Sequence, residues 1–129
     1  MGNEEEYFYT KDHEWVCFEE GSAFVGIAEY AQNALGDITF VELPEVGVEV
    51  DQFEQFASVE SVKAASDIFA PISGKIIEVN QNLSSSPELM NKSCYQKGWI
   101  AKMVSSDVGE KDDLMTVEGY RKFLEGLDR

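Results

Sequence analysis

The segment Ser58-Val59-Glu60-Ser61-Val62-Lys63-Ala64-Ala65-Ser66-Asp67 decides the fold of this chain. Strand-forming residues precede it from Phe56 and follow it as far as Ala70, so it predicts a hairpin at about 56–70 with Lys63 at the tip. The residues next to Lys63 are small, which would let another protein approach the lysine amine closely. An ordinary solvated surface lysine is the alternative, and the surrounding sequence has to decide between the two.

Strand and helix signals continue from this hairpin toward the N-terminus. The alternating segment Ile38–Leu43 predicts a strand with one buried face. Glu29–Leu35 predicts a short helix that ends at Gly36, because a glycine can adopt the left-handed conformation of a helix C-terminus. Before it, β-branched and aromatic residues on both sides of a glycine turn predict a further hairpin across Glu14–Ala28.

The C-terminal half alternates between strands and short helices. Strands are predicted at Ile76–Val79 and Gly98–Val104. Between them, Ser86 could cap a short helix in which Pro87 takes the first position. A C-terminal amphipathic helix is predicted at about 114–127, from the helical spacing of Val117, Tyr120, Phe123, Leu124 and Leu127.

These elements predict an all-β barrel or sandwich with three short helices, in which strands dominate. The sequence also has a rough symmetry about Lys63. Gly47 and Gly74 each follow a segment that contains a proline and precede an apolar strand. Two similar half-units that face each other would place Lys63 on the turn between them.

Composition limits the kind of partner. The chain has 129 residues, 43% of them hydrophobic, and a formal net charge of −15 from 25 acidic and 10 basic residues. This size suits one domain with a modest core, and no apolar run approaches the length of a membrane span. Such a negative protein is repelled by nucleic acid and by anionic membranes and attracts basic protein surfaces.

Few residues could support chemistry of the chain's own. His13 is the single histidine, and Cys17 and Cys94 form no closely spaced pair, so the ligands of a zinc site are missing. We expect the two thiols to be packing residues and His13 to be structural. The remaining candidate is Lys63 as the anchor of a covalently attached carrier group such as lipoamide or biotin.

Lys63 lies in a segment that resembles the lipoyl-attachment site of the glycine cleavage system H protein family. The resemblance extends in order over about residues 7 to 127. It rests on these segments: Tyr9–Val16, Gly26–Gln32, Leu35–Ile38, Phe40–Pro44, Glu60–Asp67, Ala70–Gly74, Glu78–Asn80, Gly98–Ile100, Leu114–Met115 and Tyr120–Leu124.

The resemblance implies a fold, a cofactor and a set of partners. The fold is a flattened barrel-sandwich hybrid with short helices and a C-terminal helix. The cofactor is lipoate in amide linkage to Lys63, and the protein is a carrier rather than an enzyme. The partners are a pyridoxal-phosphate glycine decarboxylase (P protein), a tetrahydrofolate-dependent aminomethyltransferase (T protein), a dihydrolipoamide dehydrogenase (L protein) and a lipoate-attaching enzyme.

Four acidic residues gain expected roles once Lys63 is taken as the attachment site. Glu14 and Asp67 stand where the family forms its arm-docking cleft, so they are candidates to hold the cationic amine of the loaded arm. Asp12 is a weaker candidate, because the residue type at its position varies. Glu60 is a candidate contact for the lipoate-attaching enzyme.

Several alternatives differ at the lysine itself. Lipoyl domains of 2-oxo acid dehydrogenases typically have Asp before the lysine, and biotin carriers have Met on both sides, whereas Val62 and Ala64 stand here. A protein of this family that relays lipoate to other proteins remains open, as does a degenerate relative that only binds a partner. The intact segment around Lys63 argues against the second.

The sequence also predicts the domain organisation, the oligomeric state and the location of the protein. We expect a single lipoyl-carrier domain over residues 1–129, acting as a monomer. The first residues, Met1–Glu6, are acidic and have no apolar core, unlike a secretory signal. The expected location is the cytoplasm in a bacterium or the mitochondrial matrix in a eukaryote.

Overall fold

The computed structural model describes residues 7–127, and within them strands dominate. The N-terminal segment 1–6, interpreted above from its composition, lies outside the described residues. The ten described strands are β1 (Tyr7–Tyr9), β2 (Glu14–Glu19), β3 (Ser22–Ile27), β4 (Ile38–Glu42), β5 (Glu49–Val50), β6 (Gln55–Ser61), β7 (Ala65–Phe69), β8 (Gly74–Val79), β9 (Ala101–Ser105) and β10 (Met115–Thr116). The helices are α1 (Glu29–Leu35), α2 (Asn82–Ser85), α3 (Leu89–Lys92) and α4 (Val117–Leu127), with a 3-10 helix at Val108–Asp113.

The strands form two antiparallel sheets that face each other across the core. The larger sheet has the order β10-β1-β2-β3-β9-β8-β5, and the smaller has the order β4-β6-β7. No closed barrel forms within residues 7–127, so the architecture is a sandwich with short helices at its ends. The predicted fold class is confirmed.

The main core lies between the two sheets. Val41, Val59 and Ile68 of the smaller sheet belong to the same buried cluster as Val25 and Ile76 of the larger one. A second cluster holds mainly aromatic residues and joins β1 and β2 to α4: Tyr7, Tyr9, Trp15, Cys17, Ala28 and Tyr120. The core therefore supports the hairpin of the smaller sheet from one face and leaves the opposite face to solvent.

The predicted hairpin at the N-terminal side is confirmed as β2 and β3. Its register pairs Glu14 with Ile27 and Trp15 with Gly26. A Cβ at Gly26 would lie 2.7 Å from the Trp15 ring, a separation that real side chains do not reach. Gly26 is therefore required so that the fully buried indole can lie flat across its neighbouring strand.

The turn and helix signals before the smaller sheet are also confirmed. Helix α1 ends where Gly36 donates its N–H to the Gln32 carbonyl at 3.0 Å. Gly36 has a φ of +78°, which favours glycine. The two glycine-containing segments of the rough symmetry meet in the larger sheet, where β5, just after Gly47, pairs with the start of β8 at Gly74.

Strand β4 departs from the predicted simple alternation. The register shifts between Ile38, which pairs with Ser61, and Phe40, which pairs with Glu60. This bulge turns Phe40 to solvent, while Ile38 and Val41 remain buried. An extra residue in one strand reverses the facing of the side chains beyond it, so period-two spacing from Ile38 gave the wrong face for Phe40.

Three predicted boundaries were wrong toward the C-terminus. The Ser86 side chain does not cap a helix; α3 begins at Leu89, and α2 precedes it. Strand β9 begins at Ala101 rather than Gly98. Leu114 to Thr116 do not belong to the C-terminal helix, because Met115 pairs with Tyr9 in the sheet and the Thr116 hydroxyl accepts the Gly119 N–H at 3.2 Å.

The side chains of Cys17 and Cys94 are buried, so the prediction that they are packing residues is confirmed. Among residues 7–127, no helix is long and apolar enough to cross a membrane. In the same range, no cluster of three or more His, Cys, Asp or Glu side chains is arranged to hold a metal ion.

Candidate functional site

Lys63 lies at the tip of the hairpin that β6 and β7 form. The register pairs Ser58 with Asp67, Val59 with Ser66 and Glu60 with Ala65, and the connecting residues Val62–Ala64 are exposed. The strands on both sides are anchored because Val59 and Ile68 are buried in the core. The predicted presentation of Lys63, exposed at the tip and anchored at the base, is therefore what the structure has.

A single serine organises the backbone of this turn. The Ser61 hydroxyl oxygen accepts the N–H groups of Lys63 and Ala64, both at 3.1 Å. The same hydroxyl approaches the Ala64 carbonyl at 3.2 Å, and the Ser61 N–H donates to that carbonyl at 2.8 Å. Residue type alone marked Ser61 as a small neighbour of the lysine, and its bonding role becomes visible only in the folded turn.

The turn is also tied to the segment that joins α1 to β4. The Val62 N–H donates to the Asp37 carbonyl at 3.1 Å. Asn91 of α3 holds that segment in turn, because its side chain donates to the Gly36 carbonyl at 2.8 Å and accepts the Ile38 N–H at 2.8 Å. Asn91, distant in sequence, therefore supports the platform on which the Lys63 turn rests.

The aliphatic part of the Lys63 side chain lies against this platform. A Cβ built at Gly36 would be 3.5 Å from both the Lys63 Cε and the Val62 Cγ2. These are ordinary van der Waals separations, so the lysine stem and Val62 lie beside the Gly36 backbone, and the positive φ of Gly36 rather than lack of space favours glycine there. The amine at its end is left on the exposed side of the turn.

Glu14 is the buried acid near this hairpin, with 2% of its surface exposed. Its carboxylate accepts a short hydrogen bond from the Thr10 hydroxyl and a 3.3 Å bond from the Phe69 N–H of β7. Burial raises the pKa of Glu14 to about 7, although both hydrogen bonds oppose that rise. The group therefore lies close to its midpoint of protonation at neutral pH.

The other predicted acids lie on the surface rather than beside Glu14. Asp67 is exposed on β7 and accepts a 3.0 Å bond from the Gln55 side chain. Glu60 is exposed and pairs with Phe40 on one side and Ala65 on the other. Glu14 belongs to β2, and its carboxylate reaches β7 at the Phe69 N–H, two residues along that strand from Asp67. Asp12 is exposed.

His13 has a structural environment, as predicted. Its Nδ1 lies 2.8 Å from the Tyr120 hydroxyl, and its ring packs against Tyr30 with 4.4 Å between the ring centroids and 30° between the planes. Burial lowers the pKa of His13. His13 lies in the connection between β1 and β2, where its backbone φ is +70°. Its contact with Tyr120 ties this connection to α4.

A cavity lies apart from these residues. It measures about 540 Å³ between β1, α1 and α4, and five of its eleven lining residues are tyrosines. Lys63, Glu14, Asp67 and Glu60 do not contribute to that lining. The candidate site is therefore an exposed lysine on a rigid turn and not an enclosed cleft, which is the arrangement of a carrier-type domain.

Comparison with known proteins agrees with this class. The family model described as glycine cleavage H-protein matches residues 7–127. The glycine cleavage system H protein of Thermus thermophilus is 52% identical over 118 residues, which cover 92% of each chain. That of Thermotoga maritima is 54% identical over 115 residues, covering 89% of this chain and 93% of the relative.

A solved structure resembles the fold as well. The crystal structure of a glycine cleavage system H protein from Mycobacterium marinum superposes with a TM-score of 0.84 at 39% identity, covering 92% of this chain and 95% of that one. The chain belongs to the glycine cleavage H-protein family, whose members are lipoyl carrier proteins.

Proposed function

We propose that Lys63 carries lipoate in amide linkage and that this protein shuttles the aminomethyl group of glycine between enzymes. The group would be received at the glycine decarboxylase and delivered to the tetrahydrofolate-dependent aminomethyltransferase. Dihydrolipoamide dehydrogenase would then reoxidise the dithiol. The observation that carries the proposal is the exposed Lys63 on a hydrogen-bonded turn, in a chain of this family.

The residues around Lys63 fit such a group. Ala64 and Ala65 are exposed and small, and Ser61 points its hydroxyl back into the turn, so an acyl chain on the amine meets no bulky side chain there. Bound lipoate would supply a disulfide and dithiol pair that accepts a carbon group and two electrons. The hydrogen-bonded turn holds the base of the arm, and the exposed end of the lysine side chain is open to modification.

Strand β7 offers a path for the arm. It is an edge strand of the smaller sheet and runs from the Lys63 turn toward the Glu14 carboxyl group. Asp67 lies about 13 Å from the turn along an extended strand, and Phe69, which binds Glu14, lies about 20 Å away. An arm laid along this edge would pass Asp67 first and then approach Glu14.

Glu14 has the protonation behaviour that a temporary amine site needs. With a pKa of about 7 it is partly neutral when alone, which limits the cost of a buried charge. An approaching cationic amine would stabilise the carboxylate and lower that pKa. We propose that Glu14 and Asp67 hold the loaded arm, with Glu14 at the buried end.

Charge also suits the proposed partners. Acylation of Lys63 removes one positive charge from a chain whose net charge is −15, so basic docking surfaces would be attracted both before and after modification. We propose that the protein acts in the cytoplasm of a bacterium, or in the mitochondrial matrix if its source is a eukaryote.

Intact mass spectrometry tests the attachment. The protein is incubated with lipoic acid, ATP and a lipoate-attaching enzyme, and we expect a gain of about 188 Da, the mass of one lipoyl group. Lys63→Ala should abolish the gain, whereas Lys75→Ala, a control on β8, should keep it. A gain that persists in Lys63→Ala would refute the assignment.

A second assay separates glycine cleavage from lipoate relay. The lipoylated protein is given to the glycine decarboxylase, and exchange of the glycine carboxyl carbon with labelled bicarbonate is followed. We expect exchange that depends on lipoylated Lys63. Lipoylation without exchange would favour the relay alternative.

A further inference from the structure

The β-bulge in β4 has an unusual result, because it places a phenylalanine in solvent beside the Lys63 hairpin. Phe40 is 51% exposed although its neighbour Val41 is 4% exposed. Bulges commonly re-aim a side chain next to a functional site. Phe40 lies opposite Glu60 in the register. Glu60 precedes Lys63 by three residues, which is about 10 Å along an extended strand.

Phe40 belongs to a continuous surface that the core does not cover. Cross-strand pairs share a face of the sheet, so the register defines its members. We call this surface the outer sheet face, and its residues are Phe40, Glu42, Ser58, Glu60, Ala65 and Asp67. Val62, 67% exposed at the tip of the hairpin, extends the apolar part toward Lys63.

The rim of this face is acidic. Glu42, Glu60 and Asp67 are exposed, and within residues 7–127 no ion pair within 4.0 Å involves them. Gln55 donates one hydrogen bond to Asp67. An exposed aromatic ring inside a rim of one charge sign is the pattern of a docking site for a protein with a basic rim and an apolar pocket.

We propose that the outer sheet face, with Phe40 as its anchor, is the surface on which the lipoate-attaching enzyme docks. This inference rests on the proposed function and names the partner that reads the unmodified protein. It extends the expected role of Glu60 from a single charge to one member of a surface.

The lipoate-attaching enzyme must come closer to the Lys63 turn than the later partners, so it is the partner that needs the outer sheet face. In the acylation step the lysine amine, after losing a proton, attacks the carbonyl carbon of lipoyl-adenylate. An amide forms, the nitrogen gives a second proton to solvent, the mixed anhydride bond breaks and AMP leaves. The enzyme that holds the adenylate must therefore come within the length of one lysine side chain of the turn. Later enzymes meet the sulfur end of the arm, a full lipoyl chain further out.

The test measures initial rates of lipoylation against the concentration of unmodified protein, using a lipoate–protein ligase, ATP and lipoic acid. Phe40→Ala should raise KM about tenfold and leave kcat within about threefold, because Lys63 and its turn remain intact. Phe53→Ala is the matched control. Phe53 has the same side chain and 50% exposure, but it lies before β6 at the opposite end of the hairpin. The KM for the Phe53→Ala variant should stay within about twofold of the wild-type value.

Two further measurements separate docking from other effects. Phe40→Thr, a strand-compatible second variant, should reproduce the rise in KM, and thermal unfolding of both variants should match the wild type within a few degrees. Glu42→Gln should raise KM at low salt and weaken the dependence of KM on sodium chloride, since one attractive charge is lost.

Equal KM values for Phe40→Ala and Phe53→Ala would overturn the inference while leaving the proposed function intact. A fall in kcat with unchanged KM would also overturn it, because Phe40 would then position the lysine rather than dock the enzyme. A wild-type dimer in sedimentation that Phe40→Ala dissociates would assign the face to a second copy instead. Absence of lipoylation in the wild type would contradict the proposed function itself.

Discussion

At the scale of single residues, Glu14 and Ser61 show how side chains of ordinary type acquire specific roles through their surroundings. Glu14 is an acid among many in this chain, yet it is buried against Thr10 and the β7 backbone. Ser61 is an ordinary small residue that accepts two backbone N–H groups of the lysine turn. Each leads to a measurable consequence.

Glu14→Gln should change the pH dependence of stability. The pKa of Glu14 in the folded protein is raised to about 7 from an ordinary value of 4.5. The fold therefore favours the neutral carboxyl group. The resulting contribution to the free energy of unfolding is fully present below pH 4.5 and is lost as the pH rises through 7. A neutral glutamine escapes this loss. We therefore expect the free energy of unfolding of Glu14→Gln, relative to wild type, to increase by about 3 kcal/mol between pH 4.5 and pH 8.

Urea unfolding at several pH values measures this difference. His13, whose lowered pKa makes stability fall as pH drops below its ordinary value of 6.5, contributes equally to both proteins and cancels. Glu60→Gln, at an exposed acid, is the control and should run parallel to wild type. Parallel curves for Glu14→Gln as well would mean that Glu14 remains ionised without penalty.

Ser61→Ala should loosen the lysine turn without unfolding the protein. It removes the acceptor of the Lys63 and Ala64 N–H groups, each such bond contributing about 1 kcal/mol. We expect amide hydrogen exchange at these two positions to accelerate several-fold, lipoylation to slow and the melting temperature to fall by a few degrees. Ser66→Ala is the control, since its hydroxyl makes only a long 3.4 Å contact with the Asp67 carbonyl. Unchanged exchange in Ser61→Ala would show that the backbone alone holds the turn.

At the scale of elements, the lysine hairpin depends on a helix that is remote in sequence. Asn91 of α3 binds the Gly36 carbonyl, the Ile38 N–H and the Gln32 side chain. The segment that it holds then accepts the Val62 N–H through Asp37. Helix α3 thus helps to set the position of the turn relative to the larger sheet.

Asn91→Ala should therefore destabilise the protein and mobilise the hairpin tip together. Loss of three partly buried hydrogen bonds should lower the free energy of unfolding by about 2 kcal/mol, measured by urea titration. Exchange of the Val62 amide should also accelerate. Asn33→Ala is the control, because Asn33 is exposed on α1 and its side chain binds only the adjacent Gln32. Loss of stability without a change at Val62 would separate α3 from the hairpin.

At the scale of the whole molecule, charge is the dominant feature. A net charge of −15 on 129 residues creates self-repulsion that opposes the compact state and also steers basic partners toward it. The ion pair between Arg121 and Glu118 spans 4.0 Å on the exposed surface of α4, where such pairs contribute little. Within residues 7–127, this exposed ion pair therefore offsets little of the repulsion among the acidic side chains.

Salt should accordingly stabilise the protein at neutral pH. Raising sodium chloride from about 10 mM to about 150 mM shortens the screening length from about 30 Å to about 8 Å, so the melting temperature at pH 7.5 should rise by several degrees. Calorimetry at pH near 4.2, where the sequence has its isoelectric point, supplies the control and should show little response. A melting temperature at pH 7.5 that ignores salt would mean that the charges are already well separated.

The local signals of the sequence predicted elements more reliably than boundaries. The Gly36 stop of α1 and the hairpin of β6 and β7 were predicted because turn glycines and strand-forming runs act over a few residues. The start of the C-terminal helix was wrong because Met115 pairs with Tyr9, a contact that local propensity does not encode. The bulge at Phe40 was missed for the same reason, since it depends on the register against β6.

Sequence by itself determined that Lys63 would stand at an exposed turn between two strands and that the chain belongs with lysine-presenting carriers, because turn chemistry and motif order are local properties. Only the tertiary structure decided that Glu14 is buried and Asp67 is not, that Asn91 supports the turn, and that Phe40 faces solvent. Those outcomes depend on which distant segments meet, and burial, cross-strand register and hydrogen bonding between remote residues arise only when the two sheets close on their common core.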